Sequence, residues 1–235
     1  MMSAQQLFKA HANGKTHDLG IDVHTVIIAG WTGRDAQAVE CHIRELEAIG
    51  VRRPASVPMF YRVAAGNLTG SPSLQVAGRH STGEVEFVLV ADVDGLWVGL
   101  GSDHTDRDLE KHSVSLSKQV CGKPIAASLW RFDEVADHWD ELELRSHAFI
   151  RGERRLYQRG GVTALRRPAD LIDAYCAATH TCERRLPPGT IMFCGTLPVH
   201  GDLEFADRFE IELRDPRLER SLTHAYDVEA LPLAD

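Results

Sequence analysis

The sequence lacks the features that mark secreted, membrane-spanning and nucleic-acid-binding proteins. Its five cysteines are odd in number and form no CxxC pair, which predicts reduced thiols rather than disulfides or a zinc site. The opening residues MMSAQQLFKA contain no apolar core of a signal peptide, and no apolar run is long enough to span a membrane. A formal charge of −8 with no long basic run argues against nucleic acid. We therefore expect a cytoplasmic protein without a membrane or nucleic-acid partner.

Internal repeats and low-complexity linkers are also absent, which favours one domain over residues 1–235. Strand-like segments such as TVIIAG and RFEIELRD are many and dispersed, whereas only RDAQAVECHIRELEAIGV and RRPADLIDAYCAAT read clearly as helices. This pattern predicts an α+β fold dominated by strands. Residues 1–28 should form a hairpin and a strand, with Asn13-Gly14 at the turn.

Polar side chains are concentrated in one octapeptide, GSDHTDRD at residues 101–108, which directly follows the apolar strand LWVGLG. The preceding strand, EVEFVLV, carries Glu84 and Glu86 at its start. Alternate residues of a strand share a face, so these two carboxylates point the same way. Taken alone, the pair is better interpreted as two glutamates exposed to water at the end of a strand.

A hairpin between these two strands changes that interpretation, because it brings the octapeptide beside the glutamates. Asp103 is then our candidate for a third carboxylate at the same point. Three carboxylates, with water completing an octahedron, form a site for a hard cation such as Mg²⁺ or Mn²⁺, with Ca²⁺ as a third option. The sequence therefore predicts a metal site at Glu84, Glu86 and Asp103.

Several motifs in one order resemble the fumarylacetoacetate hydrolase superfamily. SDHTDRDLE is similar to its NDxSARDxQ signature, GEVEFVLV to its ExE strand, and LPPGTIMFCGTLP to its LxPGDxIxTGTP segment. The order holds from Gly30 to about Asp227. The resemblance implies a fumarylacetoacetate hydrolase-like mixed β-sandwich roll with a few peripheral helices, in a branch catalogued as a domain of unknown function.

The resemblance also implies roles for individual residues. Its metal ligands correspond to the three carboxylates above, and its catalytic groups to Lys118 and to His42 and Glu45, which lie on a candidate lid within residues 30–50. Its substrate-binding positions correspond to Tyr61, Arg62, Gly195 and Thr196. Arg62 stands where the family has lysine, and Trp31 to Arg34 replace its asparagine-tyrosine pair. These departures concern the substrate more than the metal.

The implied activity is metal-dependent hydrolysis of a C–C bond in a small 2-oxo acid of the acylpyruvate type. The metal would stabilise the enolate that forms when the bond breaks, and His42, oriented by Glu45, would take a proton from the attacking water. A decarboxylase, a hydratase or an enol–keto isomerase needs the same enolate, and a non-catalytic metal- or ligand-binding protein of this fold is a further alternative. The resemblance also implies a homodimer.

Overall fold

The computed structural model describes residues 4–48, 53–180 and 184–234, without the side chains of His42 and Leu46. The strands are β1 (Ala4–Ala12), β2 (Lys15–Val23), β3 (Thr25–Gly30), β4 (Met59–Val63), β5 (Leu68–Thr69), β6 (Ser73–Ala77), β7 (Ser81–Thr82), β8 (Val85–Asp92), β9 (Gly95–Ser102), β10 (Thr105–Asp106), β11 (Lys123–Pro124), β12 (Ser128–Arg131), β13 (Glu143–Ile150), β14 (Glu153–Gly161), β15 (Thr190–Phe193), β16 (Arg208–Asp215) and β17 (Arg220–Leu231). The helices are α1 (Ala36–Ala48), α2 (Arg107–Glu110), α3 (Val114–Gln119) and α4 (Pro168–Thr179). Strands thus dominate this α+β fold, which confirms the predicted class.

An eight-stranded mixed sheet forms the centre of the molecule, in the order β2-β1-β12-β9-β8-β15-β3-β4. Strand β8 is buried on both faces: Phe87 and Leu89 belong to one apolar cluster, whereas Val88 and Val90 belong to another. The predicted hairpin of β8 and β9 is confirmed. The pair Asp94-Gly95 is typical of the centre of a hairpin turn, but Asp92 pairs with Gly95, so the two-residue loop is Val93-Asp94.

A second sheet of five strands, in the order β14-β13-β16-β17-β6, packs against one face of the first. Leu144 and Leu213 from this sheet share an apolar cluster with Phe87 and Leu89 of β8. The pairing of β13 with β14 is irregular between Ser146 and His147. Such an irregularity bends a strand and redirects the side chains beside it.

Most predicted elements are present, and the N-terminal hairpin is confirmed, with Asn13 and Gly14 at positive φ of 52° and 70°. Helix α1 also forms. Gly50 is typical of a residue that ends a helix, but it lies outside the described residues. The amphipathic pattern of FDEVADHWDELEL favours a helix at its start, but the segment forms two short 3-10 segments, Phe132–Glu134 and Ala136–Glu141. His138 breaks the second with φ −125°. No helix in the described part of the chain is both long and apolar enough to cross a membrane.

That break places His138 against the second sheet, where it forms a buried polar contact. Its Nε2 lies 3.0 Å from Oδ1 of the fully buried Asp215, at the end of β16. Burial raises the pKa of Asp215, but hydrogen bonds from the Leu218 amide and from His138 more than offset this, so the pKa lies below its usual value. The ionised carboxylate is therefore the form that stabilises the fold here.

Candidate metal centre

The three predicted carboxylates meet where the β8–β9 hairpin opens. Glu84 precedes β8, Glu86 lies within it, and Asp103 follows β9. The pairing of Val85 with Ser102 sets Asp103 beside Glu84, and the Asp103 amide donates to the Glu84 carbonyl at 3.0 Å. One oxygen of each carboxylate lies within 4.8 Å of the other two. The predicted convergence is therefore confirmed.

Burial makes this carboxylate cluster costly unless a cation or a proton balances it. Glu86 is 2% exposed and Asp103 is 0% exposed. Burial raises the pKa of Glu86 well above its usual value, and the charges of Asp103 and Glu84 act in the same direction. The Gly195 amide donates a hydrogen bond to Glu86 Oε2 at 2.7 Å and opposes the shift. An all-oxygen donor set of this charge fits a hard divalent cation.

Three cationic side chains surround the carboxylates. The Lys118 ammonium donates to Asp103 Oδ2 and lies 3.6 Å from Glu84 Oε2. Lys123, which is fully buried, lies 3.2 Å from Asp103 Oδ1. Arg107 Nη2 lies 3.0 Å from Glu84 Oε1, so Arg107 is a charge partner of this carboxylate. Burial raises the pKa of Asp103, but Lys118 and Lys123 outweigh it, so the pKa is lowered.

His104 holds the loop that carries Asp103. It is fully buried, its Nδ1 lies 3.1 Å from the Tyr226 hydroxyl, and its Nε2 lies 3.0 Å from Ser81 Oγ. Burial lowers the pKa of His104 to about 3, and Lys123 adds to the effect. The imidazole is thus neutral, and both its nitrogens face protein partners. It fixes the loop and does not face the carboxylate cluster.

Two further residues of the site, Lys123 and Gln158, have no role in the expectations drawn from the sequence. Lys123 is signalled only weakly, by the short stretch CGKPIA after the acidic octapeptide. Gln158 lies in β14, at the irregular part of its pairing with β13. Its Oε1 accepts from the Val85 amide at 3.0 Å, and its Nε2 donates to Thr196 Oγ1 at 2.8 Å. This one side chain links the second sheet to the strand of Glu86 and to the segment after β15.

Gly195 and Thr196 both lie at the centre, as predicted. Gly195 has φ +100°, and a Cβ built on it would lie 1.7 Å from Thr32 Oγ1, so only glycine fits. Thr196 Oγ1 donates to the Val85 carbonyl at 2.8 Å. Its hydroxyl is therefore bound within the protein on the side of β8.

Glu84 and Glu86 line a cavity of about 770 Å³, whereas Asp103 is fully buried behind them, and some of the remaining predicted residues also line this cavity. Tyr61 lines it, with its ring centroid 6.0 Å from Lys118 Nζ. Arg62 does not: its exposed side chain lies on the opposite face of β4 and donates to Thr25 Oγ1 at 3.3 Å. Neighbouring residues of a strand point to opposite faces, so Tyr61 and Arg62 could not both reach the cavity. We correct the assignment of Arg62 accordingly.

The candidate lid meets this cavity through the segment before α1, residues 30–35, and through the first turn of the helix. Asp35, Ala38 and Val39 line the cavity, whereas Glu45, farther along α1, is exposed. The side chain of His42 lies outside the described residues. The catalytic pair of His42 and Glu45 therefore stays a prediction.

Residues 29–226 match the family described as "Protein of unknown function (DUF2848)". The chain belongs to this family. The matched region of this DUF2848 chain includes the whole carboxylate cluster and all three of its cationic partners. No curated protein matches the sequence.

Solved structures share the fold of this DUF2848 chain at low sequence identity. Cg1458 with an inhibitor has a TM-score of 0.63 at 15% identity, over 97% of this chain and 90% of that one. 2-Keto-3-deoxy-D-arabinonate dehydratase complexed with magnesium and 2,5-dioxopentanoate has a TM-score of 0.61 at 18% identity, over 95% and 79%. Its apo form has a TM-score of 0.62 at 18% identity, over 94% and 78%. This likeness shows the fold, and it confirms the predicted fumarylacetoacetate hydrolase-like roll.

Proposed function

We propose that this chain is a divalent-metal-dependent enzyme of the fumarylacetoacetate hydrolase superfamily that acts on a small 2-oxo acid. The observation that carries the proposal is the convergence of Glu84, Glu86 and Asp103, two of which, Glu84 and Glu86, line a cavity. A solved structure of the same fold, the arabinonate dehydratase, is a complex with magnesium and a 2-oxo acid, which supports the same chemistry here. We take residues 1–235 as one catalytic domain with a lid over residues 30–50.

Mg²⁺ or Mn²⁺ would be held by the three carboxylates, whose oxygens already lie within 4.8 Å of one another. When bound, the ion supplies positive charge that stabilises an enolate oxygen. Lys118 lines the cavity beside Asp103 and Glu84, so its ammonium adds to the positive potential at the same place. Metal binding also requires Glu86 to be ionised, and its hydrogen bond from Gly195 favours that form.

We assign the proton transfers to two residues of α1, His42 and Glu45. His42 takes a proton from the attacking water, and Glu45 orients the imidazole, once the helix closes over the substrate. Ala38 and Val39 of α1 line the cavity, so the helix is placed where such a movement would cover the substrate. This assignment follows from the resemblance in sequence.

The reaction that we propose first is hydrolysis of the C–C bond of an acylpyruvate. The purified protein, loaded with Mg²⁺ or Mn²⁺, should release pyruvate from acetylpyruvate, measured with a coupled dehydrogenase. Glu86→Gln should abolish this release, because it removes a metal ligand, whereas Glu229→Gln, a surface change on β17, should leave it intact. Metal binding without turnover of any 2-oxo acid tested would instead indicate a non-catalytic binding protein.

A second reaction is loss of water from a 3-deoxy-2-oxo acid, which the name of the arabinonate dehydratase relative favours. The two reactions differ in their products. Hydrolysis divides the carbon chain, whereas dehydration keeps every carbon in one molecule. Mass spectrometry of the products therefore decides between them.

A further inference from the structure

The cavity above the metal centre is larger than its proposed substrate head group needs. At about 770 Å³ it lies within the range of about 300–1,000 Å³ that accommodates drug-sized ligands. An acid of the size of pyruvate, held at the carboxylates, would occupy only its inner end. The outer walls of the cavity would therefore contact the part of the substrate beyond its 2-oxo acid head group.

The charged side chains of these walls already have partners within the protein. Arg107 contacts Glu84 at 3.0 Å and Glu110 at 2.8 Å. Asp35 accepts hydrogen bonds from the backbone amides of Gln37 and Ala38, at the start of α1. These groups are used to build the walls, so they are poorly placed to bind hydroxyl groups of a substrate.

The rest of the outer wall is largely apolar. Val39 of α1 faces the cavity from one side, and Leu165, Leu197 and Val199 line it as well. Leu203 borders the same cavity although 55% of its surface is exposed. When an apolar group of a ligand covers an exposed leucine beside a cavity, the burial of that apolar surface contributes favourable free energy to binding.

From these walls we infer that the substrate carries an apolar group, an alkyl chain or an aromatic ring, beyond its 2-oxo acid head. The inference rests on the proposed function and narrows it to acylpyruvates and related acids with a hydrocarbon acyl part. The hydroxyl groups of a sugar acid would lose their hydrogen bonds to water beside Val39, Leu165 and Leu203. They would find few hydrogen-bond partners there to replace them. The polyhydroxylated acid in the name of the dehydratase relative is therefore a poor fit.

The test measures binding separately from turnover. Unbranched 2-oxo acids from pyruvate to 2-oxooctanoate are titrated into the Mn²⁺-loaded protein by calorimetry. We expect each added methylene to tighten binding about fourfold until the cavity is filled. An ω-hydroxy acid of equal length should bind more weakly than its unsubstituted partner.

Leu203→Ser tests the contribution of the outer wall to binding. Because the Leu203 side chain is exposed, its replacement should not disturb the fold. It should lower the ratio of 2-oxooctanoate affinity to pyruvate affinity at least about fourfold, the value of one methylene. Leu218→Ser, a leucine of similar exposure (48%) outside the cavity, should leave the ratio unchanged.

Pyruvate binding with no dependence on chain length, or equal binding of the ω-hydroxy acids, would overturn this inference and leave the proposed function standing. Failure of every 2-oxo acid to bind the Mn²⁺-loaded protein would overturn both.

Discussion

Replacing Lys123 with methionine should test how strongly the metal centre depends on its buried cations. Lys123 is fully buried, lies 3.2 Å from Asp103 Oδ1, and donates a hydrogen bond to the His104 carbonyl at 2.6 Å. Methionine keeps the length and apolar stem of the side chain but removes its charge. The variant therefore leaves the Asp103 charge with Lys118 as its only neighbouring lysine and the carbonyl without this donor.

Removing one partner of a buried ion pair costs about 3–5 kcal/mol. Because Asp103 keeps Lys118, we take the lower value, and the unpaired His104 carbonyl adds about 1 kcal/mol. The free energy of unfolding should thus fall by about 4 kcal/mol. If the free energy of unfolding decreases by about 3 kcal/mol per M of urea, the urea concentration at the unfolding midpoint should fall by about 1.3 M.

Tryptophan fluorescence in urea, with and without Mg²⁺, measures this effect. Excess Mg²⁺ should restore part of the loss, because an ion at the carboxylates returns positive charge to Asp103. Lys111→Met is the matched control, since Lys111 is exposed and pairs only with Asp108 among the described contacts, so its loss should change stability by less than about 0.5 kcal/mol. A Lys123→Met midpoint within 0.3 M of the parent's, on the order of 1 kcal/mol, would refute the reasoning.

Four further outcomes are expected. Glu86→Gln should weaken Mn²⁺ binding more than about tenfold in calorimetry, and unchanged affinity would exclude Glu86 as a ligand. The stability advantage of the parent over Asp215→Asn should be full at neutral pH and disappear as the pH falls below about 4, because the folded pKa of Asp215 is lowered; a constant difference in urea midpoints across pH would contradict this. Glu45→Gln should slow turnover with metal affinity kept, and a 2-oxo acid should increase amide protection in residues 34–48; equal protection and unaltered turnover would leave α1 as scaffold. Light scattering should report a homodimer, and a monomer at micromolar concentration would count against it.

The convergence of the three carboxylates could be predicted from sequence because strand geometry is local. Glu84 and Glu86 share a face by the two-residue period of a strand, and a hairpin necessarily brings Asp103 to them. The same rule shows why the Arg62 assignment was wrong, since its neighbour Tyr61 already faces the cavity. A motif aligned residue by residue carries no information on which face of the strand each residue occupies.

Long-range contacts could not be predicted from these patterns. Gln158 reaches the Val85 amide from a strand more than seventy residues away, across two packed sheets. The 3-10 segments around His138 replace a helix because His138 contacts Asp215 of β16, a contact with no local signal. The expectation of a cytoplasmic protein rests on the pattern of the cysteines and on the lack of a signal peptide or membrane-spanning run in the sequence. It stays a prediction.

The cationic partners of the carboxylates have a consequence for how the protein acquires its metal. Lys118 and Lys123 pair with Asp103, and Arg107 pairs with Glu84, so these charges are compensated before any ion arrives. Small zinc domains, by contrast, stay unfolded until the metal binds. Because two of the three carboxylates are already paired, we expect the polypeptide to fold without the ion and to bind it afterwards. Metal supply would then set the fraction of molecules that work, while the number of folded molecules stays the same.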